Sequence, residues 1–285
     1  MTDKVLRMRT AFHSAAFGAR GWLPAWTLEE ALRLTAEMGF DGLELAAVRP
    51  HAWPQDLSRE RRRTIRRLVA DWDLALSAVN PQTLYHNIAS PVPEERTATV
   101  RNIVDCLDLA TDLECGIVVV NGGWTVRPHS RDEAWCWAAE GLVAAAREAE
   151  RRAVILVMEN INSQRADVVV SSQDVEAMVA EVASPSLRPM IDFYHLHLES
   201  EDPLLAIKQF GTDLTHVHFL DARRQGRARI IPGLGELPLK EMLVALREVG
   251  YKGWLTVEIW GDDPITLGQQ CAQALKALQQ EAGVP

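Results

Sequence analysis

The chain has 285 residues, of which 47% are hydrophobic and 24% are charged, with a formal net charge of −9 and an isoelectric point near 5.4. This acidic balance disfavours a nucleic-acid partner, which needs a basic surface, and no apolar run is long enough to predict a membrane span. Four cysteines without CxxC spacing and an N-terminus without an apolar stretch predict a cytoplasmic protein with reduced thiols.

Short apolar runs alternate with longer amphipathic segments along the whole chain. The predicted strands cover residues 8–13, 42–46, 74–79, 116–121, 154–159, 189–192, 215–219 and 253–259. The predicted helices cover residues 27–38, 58–71, 94–113, 131–152, 171–182, 203–210, 239–249 and 264–280. Thr27 followed by Glu30 predicts a capping box, and Gly39 and Gly250 fit helix ends.

This alternation predicts an α/β fold, a single-domain (β/α)8 TIM barrel that spans residues 1–285, with the barrel itself from about residue 8 to residue 280. An open doubly wound sheet is the alternative. That fold would place a glycine-rich phosphate-binding turn after the first strand, and no GxGxxG motif follows residue 13.

Four of the apolar runs end on residues that can bind a metal ion, namely Glu159, Asp192, His218 and Glu258. A carboxylate at the end of a buried strand is costly unless something neutralises it. Since the carboxyl ends of barrel strands meet at one mouth, we expect the four side chains to converge there. Two glutamates, an aspartate and a histidine predict a site for one divalent ion, Mn²⁺ first, with Mg²⁺, Co²⁺ and Zn²⁺ as alternatives.

The two glutamates lie on the fifth and eighth predicted strands, with Asp192 and His218 between them. That arrangement could place one carboxylate on each side of a bound substrate. It would suit the removal of a proton from one face of a carbon next to a carbonyl and its return to the other face, through a cis-enediolate. We therefore interpret Glu159 and Glu258 as an acid/base pair.

Several segments strongly resemble the xylose-isomerase-like sugar isomerase/epimerase superfamily of TIM barrels. They are GFDGLEL at 39–45, HVHFLDARR at 216–224, IPGLGE at 231–236 and GYKGWLTVE at 250–258. VRPHAWPQDL at 48–57 is similar to a segment of fructoselysine 3-epimerase-like proteins, within the ketose 3-epimerase branch. The resemblance covers almost the whole chain.

The resemblance implies roles for individual residues. Glu159, Asp192, His218 and Glu258 match the metal ligands of the ketose 3-epimerases, and the two glutamates also match their proton-transferring pair. His195 and Arg224 match residues that contact substrate oxygens near the carbonyl. Arg165 departs from the pattern, since an acidic residue is usual at that position, and an arginine favours an anionic or carbonyl-rich substrate group.

Further candidates for substrate contact are Glu44 at the end of the second strand, His51 in the loop after it and Trp124 in the loop after the fourth strand. Four tryptophans lie in loops on the predicted mouth side, namely Trp22, Trp26, Trp53 and Trp124. Tryptophan rings stack on sugars but also anchor loops, so we expect one of the four to contact the substrate.

The sequence predicts a divalent-metal-dependent isomerase that acts on a ketose or keto-sugar derivative. A lyase on the same scaffold is the alternative, either an inosose dehydratase or an enzyme that cleaves 3-keto-glycosides or C-glycosides by β-elimination. A metal-dependent endonuclease is disfavoured by the acidic charge, and a silent binding subunit is disfavoured by the complete ligand set. A small-molecule sugar is the expected partner, and a homo-oligomer is left open.

Overall fold

The structure is a computed structural model that describes residues 8–18, 26–81 and 86–284. Its strands are β1 (Arg9–His13), β2 (Gly42–Ala46), β3 (Ala75–Asn80), β4 (Ile117–Asn121), β5 (Ile155–Glu159), β6 (Leu187–Asp192), β7 (His216–His218), β8 (Asp221–Arg223), β9 (Ala228–Ile230) and β10 (Trp254–Val257). Its α-helices are α1 (Leu28–Met38), α2 (Arg59–Asp71), α3 (Pro93–Asp112), α4 (Arg131–Arg152), α5 (Ser172–Val182), α6 (Phe193–Leu198), α7 (Pro203–Phe210), α8 (Leu239–Glu248) and α9 (Pro264–Glu281).

Eight of the strands form a closed parallel barrel in the order β1-β10-β7-β6-β5-β4-β3-β2. The closure comes from the pairing of β1 with both β2 and β10. The predicted (β/α)8 TIM barrel is therefore confirmed, and the open doubly wound sheet is excluded because the barrel has no sheet edge.

The turn between α1 and β2 shows how the local sequence determines this architecture. Thr27 and Glu30 form the predicted capping box, and Gly39 ends α1 in the left-handed region at φ 91°. Gly42 then enters the barrel where a Cβ atom would lie 2.4 Å from the carbonyl oxygen of Ala75. Only glycine lets β2 approach β3 this closely, so the Gly39 and Gly42 spacing is a packing requirement.

A short helix, α6, and a hairpin of two short strands, β8 and β9, were not predicted, and both features lie at the mouth of the barrel. Helix α6 begins directly after β6, because the Asp192 carboxylate accepts a hydrogen bond of 2.9 Å from the backbone N–H of His195. Strands β8 and β9 form an antiparallel hairpin that leaves the end of β7. Each of these elements has six residues or fewer, which is too short for a periodic pattern to stand out.

No helix in the described part of the chain is long and apolar enough to cross a membrane.

Candidate metal centre

Four side chains from neighbouring strands meet at the carboxyl end of the barrel. They are Glu159, Asp192, His218 and Glu258, and one ligand atom from each lies within 4.8 Å of the others. His218 Nδ1 is 3.2 Å from a Glu159 oxygen, 3.2 Å from an Asp192 oxygen and 3.5 Å from a Glu258 oxygen. The structure thus brings together all four residues at which the sequence places metal ligands.

The chemistry of this cluster fits a divalent cation. All four residues are at most 6% exposed, and three of them are carboxylates. Ionised carboxylates buried this close to one another repel and are costly unless a cation neutralises them. Oxygen donors with one imidazole are a ligand set for Mn²⁺, Mg²⁺, Co²⁺ or Zn²⁺.

The two glutamates have different environments although they approach the same imidazole nitrogen. Burial raises the pKa of Glu159 to about 7. Burial also acts on Glu258, but the charge of Arg229, whose Nη2 lies 2.7 Å from a Glu258 oxygen, lowers the pKa of that carboxyl. Carboxyl groups whose pKa values are moved apart in this way are suited to opposite acid and base roles.

Arg229 is a residue of this site that the sequence did not single out. Its side chain is 6% exposed, and Nη2 also lies 3.3 Å from Asp192 Oδ2. The guanidinium is held over the ring of Tyr194, 4.2 Å from the ring centre. Its Nε has no hydrogen-bond partner among the described residues, so this N–H is available to donate to a bound ligand.

Arg224, the arginine that the resemblance suggested, lies elsewhere. It is exposed, and its Nη2 donates to the carbonyl oxygen of His197 at 3.3 Å. Counting residues forward from His218 favours Arg224, but the β8–β9 hairpin turns the chain back and brings Arg229 of β9 over the mouth instead. The one available signal is the IPGLGE segment, which begins two residues after Arg229.

His195 lies beside the cluster on α6 and is 2% exposed. Burial lowers the pKa of His195 to about 4, so its imidazole is neutral near pH 7. Asn162 Oδ1 accepts from Arg227, so we assign the 2.7 Å contact between Asn162 Nδ2 and His195 Nδ1 as an N–H donated to the ring. That hydrogen bond leaves the proton of His195 on Nε2, which lies 3.4 Å from Arg229 Nη2.

Glu44 stands behind His218, on the side away from the other three ligands. It is fully buried, and its oxygens lie 3.0 Å from His218 Nε2 and 2.8 Å from His216 Nε2. Asn80 donates to the same carboxylate at 2.9 Å. With these partners around it, Glu44 holds the Nε2 proton of His218 and leaves Nδ1 facing the cluster, as carboxylates commonly do behind histidine ligands.

These contacts also determine the charge of the group. Burial would raise the pKa of Glu44, but its contacts with His218 and His216 hold that pKa well below its usual range. Glu44, His216 and His218 also form a second set of close ligand atoms. Their separations are those of hydrogen bonds, which is consistent with an orienting network below the mouth.

We expect Glu44→Gln to weaken Mn²⁺ binding about 10- to 100-fold, because an amide cannot hold the ring of His218 as a carboxylate does. Isothermal titration of metal-depleted protein with Mn²⁺ measures this change. A direct substrate contact at Glu44 would have a different result, namely a higher KM at saturating metal with unchanged Mn²⁺ affinity. That second pattern would contradict the positioning role.

Asp221 anchors the hairpin that carries Arg229. It is 1% exposed, and its carboxylate accepts backbone hydrogen bonds from Ala222 and Leu237 on Oδ1 and from Gly233 and Gly235 on Oδ2. These four bonds, each between 2.8 and 3.0 Å, join the start of β8 to the IPGLGE segment. The Asp221 carboxylate therefore closes the loop between β8 and the IPGLGE segment.

We expect Asp221→Ala to lower the free energy of unfolding by about 2–4 kcal/mol, since it leaves four backbone N–H groups without their acceptor. Urea denaturation followed by circular dichroism measures the loss. Asp262→Ala, at an exposed position before α9, is the matched control and should leave the midpoint unchanged. Equal midpoints for the two variants would show that the loop does not depend on this carboxylate.

The remaining candidates line other parts of the mouth. Arg165 is exposed in the loop after β5. Burial is the main cause of the lowered pKa of His195, and the charges of Arg229 and, to a smaller extent, Arg165 act in the same direction. His51 is buried and its Nε2 donates to the Trp26 carbonyl at 2.9 Å. No hydrogen bond joins His51 to the four-ligand cluster within the residues described.

Three of the four loop tryptophans lie in the part of the chain that the structure describes. Trp26, Trp53 and Trp124 are partly buried. The backbone of Trp124 is fixed by Asn87, whose Oδ1 accepts from its N–H at 3.0 Å and whose Nδ2 donates to its carbonyl at 2.7 Å. Trp22 lies outside the described residues.

A family model described as "Xylose isomerase-like TIM barrel" matches residues 32–281 of the chain. Fructoselysine 3-epimerase of Escherichia coli O157:H7 is 26% identical over 89% of this chain and 94% of its own length. D-psicose 3-epimerase of Enterocloster bolteae is 25% identical over 87% of this chain and 83% of its own length.

The crystal structure of D-psicose 3-epimerase with D-tagatose from Clostridium cellulolyticum H10 superposes with a TM-score of 0.81 at 20% identity. The match covers 96% of this chain and 99% of that one. At that level of identity the superposition establishes the shared fold.

Proposed function

Because the chain belongs to the xylose isomerase-like TIM barrel family, we propose that it is a divalent-metal-dependent isomerase or epimerase of a ketose or keto-sugar derivative. The observation that carries the proposal is the placement of Glu159 and Glu258. They come from β5 and from the end of β10, and both lie within 3.5 Å of His218 Nδ1. The sugar epimerases among its relatives support the same substrate class.

The proton transfer that we propose uses both carboxyl groups. Glu258, beside the Arg229 guanidinium, removes the proton from the carbon next to the substrate carbonyl. Glu159, on β5 at the other side of the cluster, supplies a proton to the opposite face of the same carbon. The reverse reaction exchanges the two roles, and the intermediate is a cis-enediolate.

Arg229 and His195 supply the donors for the negative charge that develops on the enediolate oxygens. Arg229 offers its unpartnered Nε–H and the edge of a buried guanidinium. His195 offers Nε2–H from a neutral ring that is fixed by Asn162. Donors already oriented in a buried site stabilise developing charge with little reorganisation.

Glu159, Asp192, His218 and Glu258 would hold the divalent ion, which we propose to be Mn²⁺, as an electrophile that acidifies the C–H bond next to the carbonyl. The orientation of His218 by Glu44 and of Asp192 by Asn160, whose Oδ1 accepts from the Asp192 N–H at 2.8 Å, supports this role.

Proton exchange in D₂O, followed by NMR with Mg²⁺-loaded protein, tests the proposal on a panel of ketoses, 3-keto sugars and inososes. We expect deuterium to enter next to the carbonyl of at least one ketose and to be found in both epimers. Loss of water or of an aglycone after exchange would instead identify the lyase alternative. No exchange with any substrate, in protein shown to contain metal, would overturn both.

A further inference from the structure

Two arginines at the mouth of the barrel have no acidic partner among the residues that the structure describes. Arg165 lies in the loop after β5, and Arg227 lies in the turn of the β8–β9 hairpin. Both are exposed, and neither forms an ion pair with a carboxylate within the residues described.

Both arginines are tied to the same buried residue, Asn162. Arg227 Nη2 donates to Asn162 Oδ1 at 2.7 Å, and the backbone N–H of Arg165 donates to the Asn162 carbonyl at 2.9 Å. Asn162 itself is 1% exposed and contacts His195 Nδ1. The Arg227 guanidinium is therefore one hydrogen-bonded residue away from His195, and the charge of Arg165 contributes to the lowered pKa of His195.

The backbone at Arg227 has a left-handed conformation. Arg227 has φ 48°, in the left-handed region that costs a non-glycine residue roughly 1 kcal/mol or more. The hydroxyl of Tyr194 donates to the Arg227 carbonyl at 3.0 Å and holds this conformation. Arg227 is one of six non-glycine residues with positive φ in the described part of the chain, and here the conformation belongs to the turn between β8 and β9.

Two carboxylates close to these elements in the chain, Glu199 and Glu236, already have partners. Glu199 accepts from the backbone N–H and the hydroxyl of Ser163, both at 2.9 Å. Glu236 lies 3.1 Å from His197 Nε2 and accepts from the Arg224 N–H at 3.3 Å. Within the part of the chain that the structure describes, no carboxylate forms an ion pair with Arg165 or Arg227.

We propose that the substrate carries an anionic group, a carboxylate or a phosphate, and that Arg165 and Arg227 bind this group while the reacting carbon lies at the four-ligand cluster. The inference rests on the proposed function and adds the substrate class. Guanidinium groups bind both kinds of anion through paired N–H donors. Exposed positive charge at the mouth of an acidic protein would also attract such a substrate.

The test compares ketoses that differ only in the anionic group. The probes are D-fructose, D-fructose 1-phosphate, D-fructose 6-phosphate and D-fructuronate, each given to Mg²⁺-loaded protein in D₂O. The readout is the ratio of kcat/KM for deuterium exchange with an anionic ketose to that with D-fructose. The two phosphates report which end of the sugar faces the arginines, and D-fructuronate separates carboxylate from phosphate recognition.

We expect a ratio of roughly tenfold or more for at least one anionic ketose, which is the worth of one or two charge-assisted hydrogen bonds. Arg165→Gln and Arg227→Gln should each lower that ratio about tenfold. Arg101→Gln removes the same charge from an exposed position on α3 and should keep the ratio of the unaltered protein. A ratio near one in the unaltered protein, or ratios unchanged in both mouth variants, would overturn the inference and leave the proposed function standing.

Binding of the same probes, measured by isothermal titration, separates this inference from the chemistry. If no ketose exchanges its proton but an anionic ketose binds and both mouth variants weaken that binding about tenfold, the anion site stands and the proposed reaction fails. If no probe exchanges and none binds, the inference is overturned together with the proposed function.

Discussion

Glu258→Gln should reduce kcat for epimerisation at least about 10³-fold at saturating metal, because it removes both a proton-transferring group and a charged ligand. A glutamine has nearly the same shape but cannot accept the substrate proton. It also leaves Arg229 without the carboxylate that lies 2.7 Å from its Nη2. Steady-state kinetics with metal content measured on the same samples would quantify the loss.

A comparison of the two epimeric substrates makes this prediction sharper. If Glu258 and Glu159 act on opposite faces of one carbon, Glu258→Gln should abolish deuterium exchange starting from one epimer, and Glu159→Gln should abolish exchange starting from the other. Each variant then identifies the face on which its carboxylate acts. A single group that served both faces would abolish both exchanges in one variant and neither in the other.

Glu140→Gln is the matched control, since it makes the same chemical change at an exposed position on α4. It should have the metal content, thermal stability and turnover of the unaltered protein. Unchanged metal content and turnover in Glu258→Gln would show that this strand end is not part of the active centre.

Arg229→Gln should lower kcat about 10²- to 10³-fold, the typical cost of removing one preorganised donor from a developing oxyanion. Its guanidinium is buried between Tyr194 and Trp260, with ring centres at 4.2 and 5.0 Å. Arg229→Lys keeps the charge but loses the planar group of donors, so we expect it to recover only a small part of the activity.

Arg224→Gln provides the comparison within the same hairpin. It removes an exposed guanidinium whose Nη2 contacts only a backbone carbonyl, that of His197, in the described structure. We expect its kcat to stay within about threefold of the unaltered protein, since surface contacts of this kind are worth little. If the Arg224 variant lost activity and the Arg229 variant kept it, the residue that the resemblance suggested would be the functional one.

The barrel could be predicted because its signals are local and repeated. Each strand carries a short apolar run and each long helix has a capping residue or an end signal, as the Thr27 capping box and the Gly39 helix end show. Strand ends could be predicted for the same reason, since parallel strands converge on one mouth. Glu159, Asp192, His218 and Glu258 follow from that geometry alone.

The positions of the side chains that surround the four ligands could not be predicted in the same way. Arg229 reaches the cluster because Asp221 closes a loop through four backbone hydrogen bonds, and no periodicity in the sequence marks such a loop. The position of Glu44 is a similar case. A glutamate at a strand end reads as a substrate contact, and only the three-dimensional structure places it behind His218 with its oxygens occupied.

The most direct measurement is deuterium exchange by protein that has been stripped of metal and is then titrated with Mg²⁺, with a responsive ketose held at saturation. We expect negligible exchange in the stripped protein and a rate that rises with bound metal until one ion is bound per chain. With the epimer whose proton Glu258 removes, Glu258→Gln should remain near the stripped rate even when its site is saturated with metal. Full exchange in metal-free protein, or no exchange when one ion is bound per chain, would contradict the assignment of these strand ends as a metal-dependent proton-transfer site.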